Sequence, residues 1–367
     1  RIMASLDNVL GEVVCSMEDK ADAVNGCWQC HGSVLAVQTG ADGATLKNEA
    51  GAVMLDPMTY PNSGVGRLNL DGYAGTCNAC HGKHSFRAST ARQPENCGKC
   101  HLGPDHPQME IYNESKHGIA YYANVEKMAL DNEKWIVGED YSAAPTCATC
   151  HMSATKDQPV THDVGLRISW NNRPAISIRP EVSDAKMGLP GKDIPWQERR
   201  GNMVNVCLSC HNQKFIDAFY AQYDGLIDLY HEKFAEPGMA LMKAAKPLLR
   251  EPEFSNKIDF VWFEIWHHEG RRARHGASMM GPDYTHWHGT YEVARNFYTE
   301  LIPELRELAE HNLHSDDPAR KEAAEKLNAL LDETLKSENH RWYINQMPAS
   351  EKQKRDAQRN EFINRYK

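Results

Sequence analysis

The sequence repeats one pattern, Cys-x-x-Cys-His, five times between residues 27 and 211. Each copy places two thiols one helical turn apart, where both can add to the vinyl groups of a single haem, and the next histidine can bind its iron. The pattern therefore predicts a c-type cytochrome whose core is built partly from porphyrin. The predicted attachment cysteines are Cys27 and Cys30, Cys77 and Cys80, Cys97 and Cys100, Cys147 and Cys150, and Cys207 and Cys210. The predicted proximal iron ligands are His31, His81, His101, His151 and His211.

Other uses of paired cysteines fit the pattern less well. Zinc sites combine pairs into tetrahedral sets with variable partners, and a disulfide framework has no reason to keep one spacing five times. Neither these nor a thioredoxin-like redox pair requires a histidine after every pair. Of the 11 cysteines, only Cys15 lies outside the motifs, and we expect it to be inert rather than a ligand.

Composition restricts the partners and the compartment. A formal net charge of -9 without a basic run argues against nucleic acid. No stretch approaches the roughly 20 apolar residues of a membrane span. Because c-type haem is attached outside the cytoplasmic membrane, we expect an exported, periplasmic or extracellular protein. The abrupt beginning at Arg1 favours a processed or incomplete chain.

The predicted fold class is mainly α, a multihaem cytochrome c with little regular sheet and a long-helix C-terminal region. We expect a haem domain over residues 1–214, with short helices at the motifs, and a helical domain over residues 215–367. Residues 168–178 alone favour a strand or an irregular loop. Helical periodicity predicts helices over residues 221–234, 258–268, 290–311 and 318–336. In the third of these, the core positions are Leu301, Ile302, Leu305 and Leu308, and the solvent-facing ones are Arg306, Glu307 and Glu310.

Eighteen histidines are more than five proximal ligands require, and some of the other 13 should bind iron on the distal side. The distal candidates are His84, His117, His162 and at most two or three of His267, His268, His275, His286 and His288, with His268 and His288 preferred. The sequence predicts exposed helix positions for His311, His314 and His340. An enzyme must leave one iron open whereas an electron wire gives every iron two protein ligands, so both classes stay open at this point.

Several segments around the motifs resemble the octahaem hydroxylamine oxidoreductase family. The resemblance covers most of residues 20–300 and continues through the fifth motif into the helical region. It is carried by Cys77-Asn78-Ala79-Cys80-His81-Gly82-Lys83-His84-Ser85-Phe86, Pro94-Glu95-Asn96-Cys97-Gly98-Lys99-Cys100-His101, Asp105-His106, Ser115-Lys116-His117-Gly118, Ala144-Pro145-Thr146-Cys147-Ala148-Thr149-Cys150-His151-Met152 and Thr161-His162.

The resemblance implies the cofactor number and the assembly. The five motifs match the last five of the family's eight, with the first of them, Cys27 to His31, on the catalytic haem. The complete protein would then carry eight haems, five in this chain and three in an N-terminal region outside this sequence; a true five-haem descendant is the alternative. Family members form homotrimers, which we expect here.

The resemblance also implies catalytic residues. Asp105 and His106 match the Asp-His pair that lies over the open face of the family's catalytic haem, and an imidazole held by a carboxylate can relay protons. Tyr284 is the nearest counterpart of the tyrosine that oxidative members cross-link to a neighbouring subunit's haem, in surroundings that differ. Arg173 stands where oxidative enzymes place a tyrosine, and its guanidinium could bind nitrite or a haem propionate.

The sequence therefore predicts a multihaem oxidoreductase that acts on small inorganic nitrogen compounds, and reduction of nitrite or hydroxylamine towards ammonium is preferred. Its redox partner would be a cytochrome or a quinol-linked donor. Two alternatives stay open: hydroxylamine oxidation through a Tyr-cross-linked haem, and a non-catalytic electron-transfer cytochrome.

Overall fold

The computed structural model describes residues 36–54, 56, 65–68, 74, 75, 77–82, 85–169 and 194–367. Several sequence predictions lie outside these residues, and so does most of the predicted extended stretch over residues 168–178. The affected positions are Cys15, Cys27, Cys30, His31, His84 and Arg173.

The chain divides into two compact units. The first comprises Arg1–Cys97 with Leu130–Glu133, and the second comprises Gly98–Ala129 with Lys134–Lys367. These two units are defined by which parts of the backbone pack together. The predicted domain boundary after residue 214 was chosen because it follows the last haem motif, and it stays a prediction.

The first unit contains a two-stranded antiparallel sheet, and short helices follow it in the chain. Within it, Arg92 donates hydrogen bonds to the carbonyl oxygens of Leu130 and Asn132, which ties the returning segment to this unit. Asn96 donates to the carbonyl oxygen of Cys80 at 2.8 Å. The elements are β1 (Val65–Leu68), β2 (Ala74–Gly75), a 3₁₀ turn (Cys77–Ala79), α1 (Ala88–Arg92) and α2 (Pro94–Gly98).

The described residues of the second unit are mainly helical, and four π-helical turns interrupt the longer helices among them. Its helices are α3 (Gln108–Glu114), α4 (Lys116–Ala123), α5 (Cys147–His151), α6 (Trp196–Leu208), α7 (Gln213–Tyr230), α8 (Glu236–Ala245), α9 (Lys257–Phe263), α10 (Gly270–Ser278), α11 (Pro282–Thr285), α12 (Tyr291–Asn296), α13 (Ile302–Leu313), α14 (Pro318–Lys336) and α15 (Ala349–Arg365). The π-helical turns are His231–Ala235, Glu264–Glu269, His286–Thr290 and Phe297–Leu301, and 3₁₀ turns occur at Val125–Lys127 and Lys246–Leu248.

The mainly α fold class is confirmed by this content of helix. The prediction for α14 is confirmed at both ends, because Asp317 caps its first turn by accepting from Ala319 N at 2.9 Å. The other three predicted helices are present but extend beyond the predicted limits. The sequence did not predict α15, which has no buried residue and therefore lacks an apolar face to recognise.

The core of the helical region forms where α13 packs against α14. Leu301 and Leu305 are fully buried, as predicted, and join Leu327 of α14 in one apolar cluster. Arg306 was expected to face water, but its guanidinium reaches across to α14, where it donates to Asp332 Oδ1 at 2.8 Å. The long arginine side chain can cover apolar surface and still reach a partner.

The prediction that His340 is an exposed helix residue is wrong. It lies in the turn after α14, is fully buried, and stacks on Phe297 with ring centroids 5.3 Å apart. The Tyr298 hydroxyl and His340 Nδ1 are 2.8 Å apart and share a hydrogen bond. Aromatic neighbours brought in from the π-helical turn Phe297–Leu301 account for the burial. His311 and His314 are exposed, as predicted.

Along the part of the chain that the structure describes, no helix combines the length and the apolar character needed to cross a membrane.

Candidate functional site

The fourth haem motif shows how the local sequence fixes an attachment site. Thr146 is the N-cap of α5, its hydroxyl accepts from Thr149 N, and Thr149 Oγ1 accepts from Thr146 N at 2.9 Å. This reciprocal capping box begins the helix directly before Cys147. The buried Tyr141 hydroxyl forms a further hydrogen bond with Thr149 Oγ1 at 2.7 Å. The two thiols and His151 are therefore held on one short helix.

Arg167 closes the other end of the same helix. Its guanidinium donates to the carbonyl oxygens of Thr149, Cys150 and Ser153 at 3.2, 3.1 and 2.8 Å, and the side chain is almost fully buried. Carbonyl groups at a helix C-terminus lack intrahelical partners and carry partial negative charge. The guanidinium satisfies these groups and anchors the motif.

The chemistry of the described motifs fits thioether-linked haem. The described cysteines form no disulfides. Burial raises the pKa of Cys150 to about 12 and that of Cys207 to about 11, so neither is poised as a metal-binding thiolate. Burial lowers the pKa of His151 to about 4, which leaves the imidazole neutral and able to bind iron. Among the described residues no group of three or more His, Cys, Asp or Glu side chains could hold a separate metal ion.

His117 is placed by the start of α4. Ser115 caps this helix, and its hydroxyl accepts from Gly118 N at 3.1 Å. A Cβ on Gly118 would lie 1.9 Å from the carbonyl oxygen of Tyr112, so only glycine permits this approach of α4 to the end of α3. The Ser-x-His-Gly sequence therefore sets the position of His117.

His117 faces the proximal histidine of the fifth motif. The ring centroids of His117 and His211 are 6.1 Å apart, with 41° between the ring planes. Two imidazoles that bind opposite sides of one metal ion, each with a metal–nitrogen bond of about 2 Å, have centroids about 6 Å apart. Burial, and secondarily His211, lowers the pKa of His117, which favours the neutral ligand form. The pair has the spacing of two axial ligands.

The other predicted distal ligands have different surroundings. His268 Nδ1 lies 2.9 Å from Glu264 Oε2, an arrangement that orients the opposite nitrogen of a metal-binding histidine. The half-exposed ring of His288 lies 4.9 Å from that of Tyr284. His162 is exposed in a turn.

The predicted Asp-His pair forms a hydrogen-bonded unit. Asp105 Oδ1 lies 3.0 Å from His106 Nδ1, and its Oδ2 accepts from Arg271 Nη1 at 3.2 Å. His267 Nε2 approaches Oδ2 at 3.9 Å. Each carboxylate oxygen thus faces a different basic side chain. The site combines an imidazole, a carboxylate and a guanidinium.

Packing between α3 and α10 brings these residues together. Asp105 and His106 lie in the loop before α3, whereas Arg271 is in the first turn of α10. Gln108 Nε2 of α3 lies 3.2 Å from Nδ1 of the buried His275 of α10, which links the two helices beside the site.

His106 also lies near an iron ligand. Its ring centroid is 6.4 Å from that of His101, the proximal histidine of the third motif, with 57° between the planes. This distance is close to that of an axial pair as well. The geometry therefore permits two roles for His106, proton relay and axial ligand, and spectroscopy distinguishes them.

Tyr284 is buried within its own unit, in the short helix α11. Desolvation by burial raises the pKa of its phenol to about 12, so the hydroxyl stays protonated at neutral pH. Its predicted cross-link to the haem of a neighbouring subunit stays a prediction.

Comparisons with known proteins agree with this chemistry. One family model, described as a multi-haem cytochrome with seven CxxCH motifs, matches residues 71–239, and a second, cytochrome c7 and related cytochrome c, matches residues 13–102. A probable nitrite reductase-hydroxylamine oxidoreductase fusion protein of Kuenenia stuttgartiensis is 36% identical over 169 residues. That match covers 38% of this chain and 19% of the relative, so the chain spans about a fifth of that protein.

Solved structures give the same picture. A hypothetical multiheme protein matches with a TM-score of 0.61 and 26% identity, over 79% of this chain and 69% of the other. A reducing hydroxylamine oxidoreductase-like protein complex of Kuenenia stuttgartiensis shares the fold with a TM-score of 0.50 and 22% identity, over 65% of this chain and 60% of the other. The chain is therefore similar to multihaem c-type cytochromes, and over part of its length to a protein named for nitrite reduction and hydroxylamine oxidation.

Sequence reasoning missed two arginines that the structure places at these candidate sites. Arg167 was not recognised as the cap of the fourth motif, and Arg271 was not recognised as the partner of Asp105. Arg271 is 166 residues from Asp105 in the chain, and no local pattern marks it. A weak signal was available in the three arginines of Glu269-Gly270-Arg271-Arg272-Ala273-Arg274-His275, which are unusual on a helix that is largely buried.

Proposed function

We propose that this cytochrome is an oxidoreductase that reduces nitrite or hydroxylamine towards ammonium. One observation carries the proposal, the Asp105 carboxylate held between His106 and Arg271 in a chain with five haem attachment motifs. A carboxylate-imidazole pair can move protons, and a guanidinium attracts an anion. The kinship with proteins named for nitrite reduction and hydroxylamine oxidation supports the same substrate class.

Both reductions consume protons, which His106 and Asp105 are suited to deliver. Reduction of nitrite to ammonium takes up six electrons and eight protons and releases two water molecules, and reduction of hydroxylamine takes up two electrons and three protons and releases one. His106 would deliver protons from Nε2, while Asp105 holds Nδ1 and stabilises the imidazolium formed on reprotonation. A haem bound at Cys27, Cys30 and His31 would supply the electrons and the iron that holds nitrogen. Arg173 would contribute a second guanidinium for the anion.

We propose that the remaining haems only transfer electrons and that each of their irons has two protein ligands. We assign His117 as the distal ligand of the haem at Cys207 and Cys210, because the spacing of its ring from that of His211 suits one iron between them. His84, His162, His268 and His288 are the further distal candidates, and His268 is best supported through its hydrogen bond to Glu264. Closed irons pass electrons without binding substrate.

The haem chemistry suggests where the protein is located and which kind of partner supplies its electrons. We place it outside the cytoplasmic membrane, where c-type haem is attached, as a homotrimer that receives electrons from a cytochrome or a quinol-linked donor. An acidic chain with a net charge of -9 suits a partner with a neutral or basic docking surface.

The test is steady-state turnover by the purified native holoprotein. A chemically reduced viologen dye supplies electrons, and its oxidation is followed with nitrite or hydroxylamine, with ammonium measured at the end. The opposite direction is assayed as hydroxylamine-dependent reduction of an added cytochrome c. The proposal predicts ammonium formation and no measurable oxidation. Turnover only in the oxidative direction would refute it.

Denaturing electrophoresis with haem staining tests the same point independently. A haem-stained band at three times the subunit mass that survives boiling would indicate covalently joined subunits, with Tyr284 as the linking residue, and would favour hydroxylamine oxidation. A single subunit band would agree with reduction. A protein whose haem spectrum does not respond to nitrite, cyanide or hydroxylamine would be an electron wire.

A further inference from the structure

Arg271 lies at the one carboxylate that the proposed proton relay depends on. Its Nη1 donates to Asp105 Oδ2, whereas His106 faces the other carboxylate oxygen. We propose that Arg271 is a positioning and specificity-determining residue, which fixes the Asp105 carboxylate against His106 and makes the site select anionic over neutral nitrogen substrates. This inference rests on the proposed function.

The contact restricts how Asp105 can turn. A carboxylate bonded through one oxygen alone can rotate about its side-chain torsions, but bonds from both oxygens in different directions define one rotamer. His106 Nδ1 at 3.0 Å and Arg271 Nη1 at 3.2 Å provide these two bonds. His106 is then held with its other nitrogen directed away from Asp105. Losing Arg271 would leave the relay present but loosely aligned.

The guanidinium retains capacity for a second partner. Arg271 has five N–H donors, and Nε is buried without a hydrogen bond to any described residue. Its side chain is only 20% exposed, so its charge is weakly screened by solvent. Guanidinium groups bind small oxyanions through pairs of parallel donors. A nitrite ion offers two acceptor oxygens in a suitable geometry.

The surroundings of Arg271 favour negative charge. Burial lowers the pKa of His267 and His275, so these neighbouring imidazoles are neutral, and the positive charge next to Arg271 is the buried guanidinium of Arg274, which lies over the Tyr230 ring at 5.1 Å. Asp105 offsets one positive charge of this group. The remaining positive field would attract nitrite, but it gives no advantage to uncharged hydroxylamine. Selectivity between the two substrates follows from this difference.

The backbone here is fixed firmly enough to hold such a residue. A Cβ on Gly270 would lie 2.1 Å from the Tyr230 hydroxyl, so the start of α10 packs directly against that ring. Arg274 Nε donates back to the carbonyl oxygen of Gly270 at 3.0 Å. Arg271 therefore projects from a rigid turn, which is what a positioning residue requires.

The experiment compares three variants of the native holoprotein with wild type. Arg271→Gln removes the charge, Arg271→Lys keeps the charge without the planar fork, and Arg272→Gln is the control, because Arg272 pairs with Glu292 and not with Asp105. KM and kcat are measured for nitrite and for hydroxylamine at a pH where hydroxylamine is neutral. Nitrite affinity of the oxidised protein is measured separately, from the change in the haem absorption spectrum without turnover.

We expect Arg271→Gln to raise KM and Kd for nitrite about ten- to hundredfold, the effect of losing one or two charged hydrogen bonds. KM for hydroxylamine should change less than about threefold, while kcat falls for both substrates as the relay loosens. Arg271→Lys should recover part of the nitrite affinity. Arg272→Gln should match wild type.

Two outcomes would overturn the inference. Equal changes of KM for nitrite and hydroxylamine would show that Arg271 has no part in selectivity. Unchanged KM and Kd together with shifted haem potentials would assign the guanidinium to a haem propionate. Failure of the proposed function has a different signature, absence of turnover by wild type, and the spectral Kd for nitrite still tests Arg271 in that case.

Discussion

The imidazole rings of His117 and His211 face each other with centroids 6.1 Å apart, although 94 positions separate them in the chain. His211 follows a haem attachment pair, and His117 lies in the first turn of a capped helix in a different part of the chain. The spacing is that of two axial ligands with one iron between them. The histidine of a local haem motif is thus paired with a histidine from a distant part of the chain.

Replacing His117 with alanine should open one iron. We expect one haem to change from low spin to high spin, with all covalent haems retained, because attachment depends on the cysteines and not on the distal ligand. Electron paramagnetic resonance measures the spin states, and a pyridine haemochrome assay counts the haems. His314→Ala is the control, since His314 is exposed. If the electron paramagnetic resonance spectrum of His117→Ala matched that of wild type, His117 would not be a distal iron ligand.

Replacing His106 with alanine should separate its two possible roles. As a proton relay, its loss should lower kcat about 10²- to 10⁴-fold and leave the number of high-spin haems unchanged. His311→Ala, at an exposed position, provides the control. A new high-spin signal would instead make His106 the axial partner of His101, and turnover equal to wild type would exclude it from the active site.

Replacing Arg167 with alanine should destabilise the fourth haem site. Three carbonyl oxygens would lose a charged donor in a buried environment, and we expect the free energy of unfolding to fall by about 3 kcal/mol or more. Chemical denaturation of the holoprotein measures this loss. The exposed Arg359→Ala in α15 should change stability by less than about 0.5 kcal/mol. Equal effects of the two substitutions would contradict the capping role.

His340 should make stability dependent on pH. Burial, with a smaller contribution from Lys233, lowers its pKa to about 4 in the folded protein. The unfolded chain binds a proton near pH 6.5, so the stability that neutral His340 provides above that pH is lost as the pH falls towards 4. The loss should reach about 3 kcal/mol.

The measurement is denaturant unfolding of wild type and His340→Gln between pH 7 and pH 4. Glutamine can still accept a hydrogen bond from Tyr298 but does not titrate, so its stability should depend less on pH over this window. His314→Gln, at an exposed position, should retain the wild-type dependence. The prediction would be contradicted if the free energy of unfolding of His340→Gln fell with pH as steeply as that of wild type.

The haem chemistry could be predicted from the sequence alone, because covalent attachment needs only five consecutive residues. Capping is equally local: the ends of α14 follow from Asp317 and from apolar periodicity, and Thr146 and Ser115 begin the helices beside Cys147 and His117. Asp105 and His106 were predicted only through the family resemblance, and their hydrogen bond is local because they are neighbours in the chain.

Which residues from distant parts of the chain meet depends on packing between the helices. Arg271 reaches Asp105 only because α10 packs on α3, and Arg167 caps a helix that ends 16 residues before it. His340 is buried because Phe297 and Tyr298, which are distant in the chain, pack against it, and not because of the residues next to it in the sequence. A polar side chain's partner and exposure are properties of packing between elements, and the local periodicity that predicts a helix holds no information about which element will cover it.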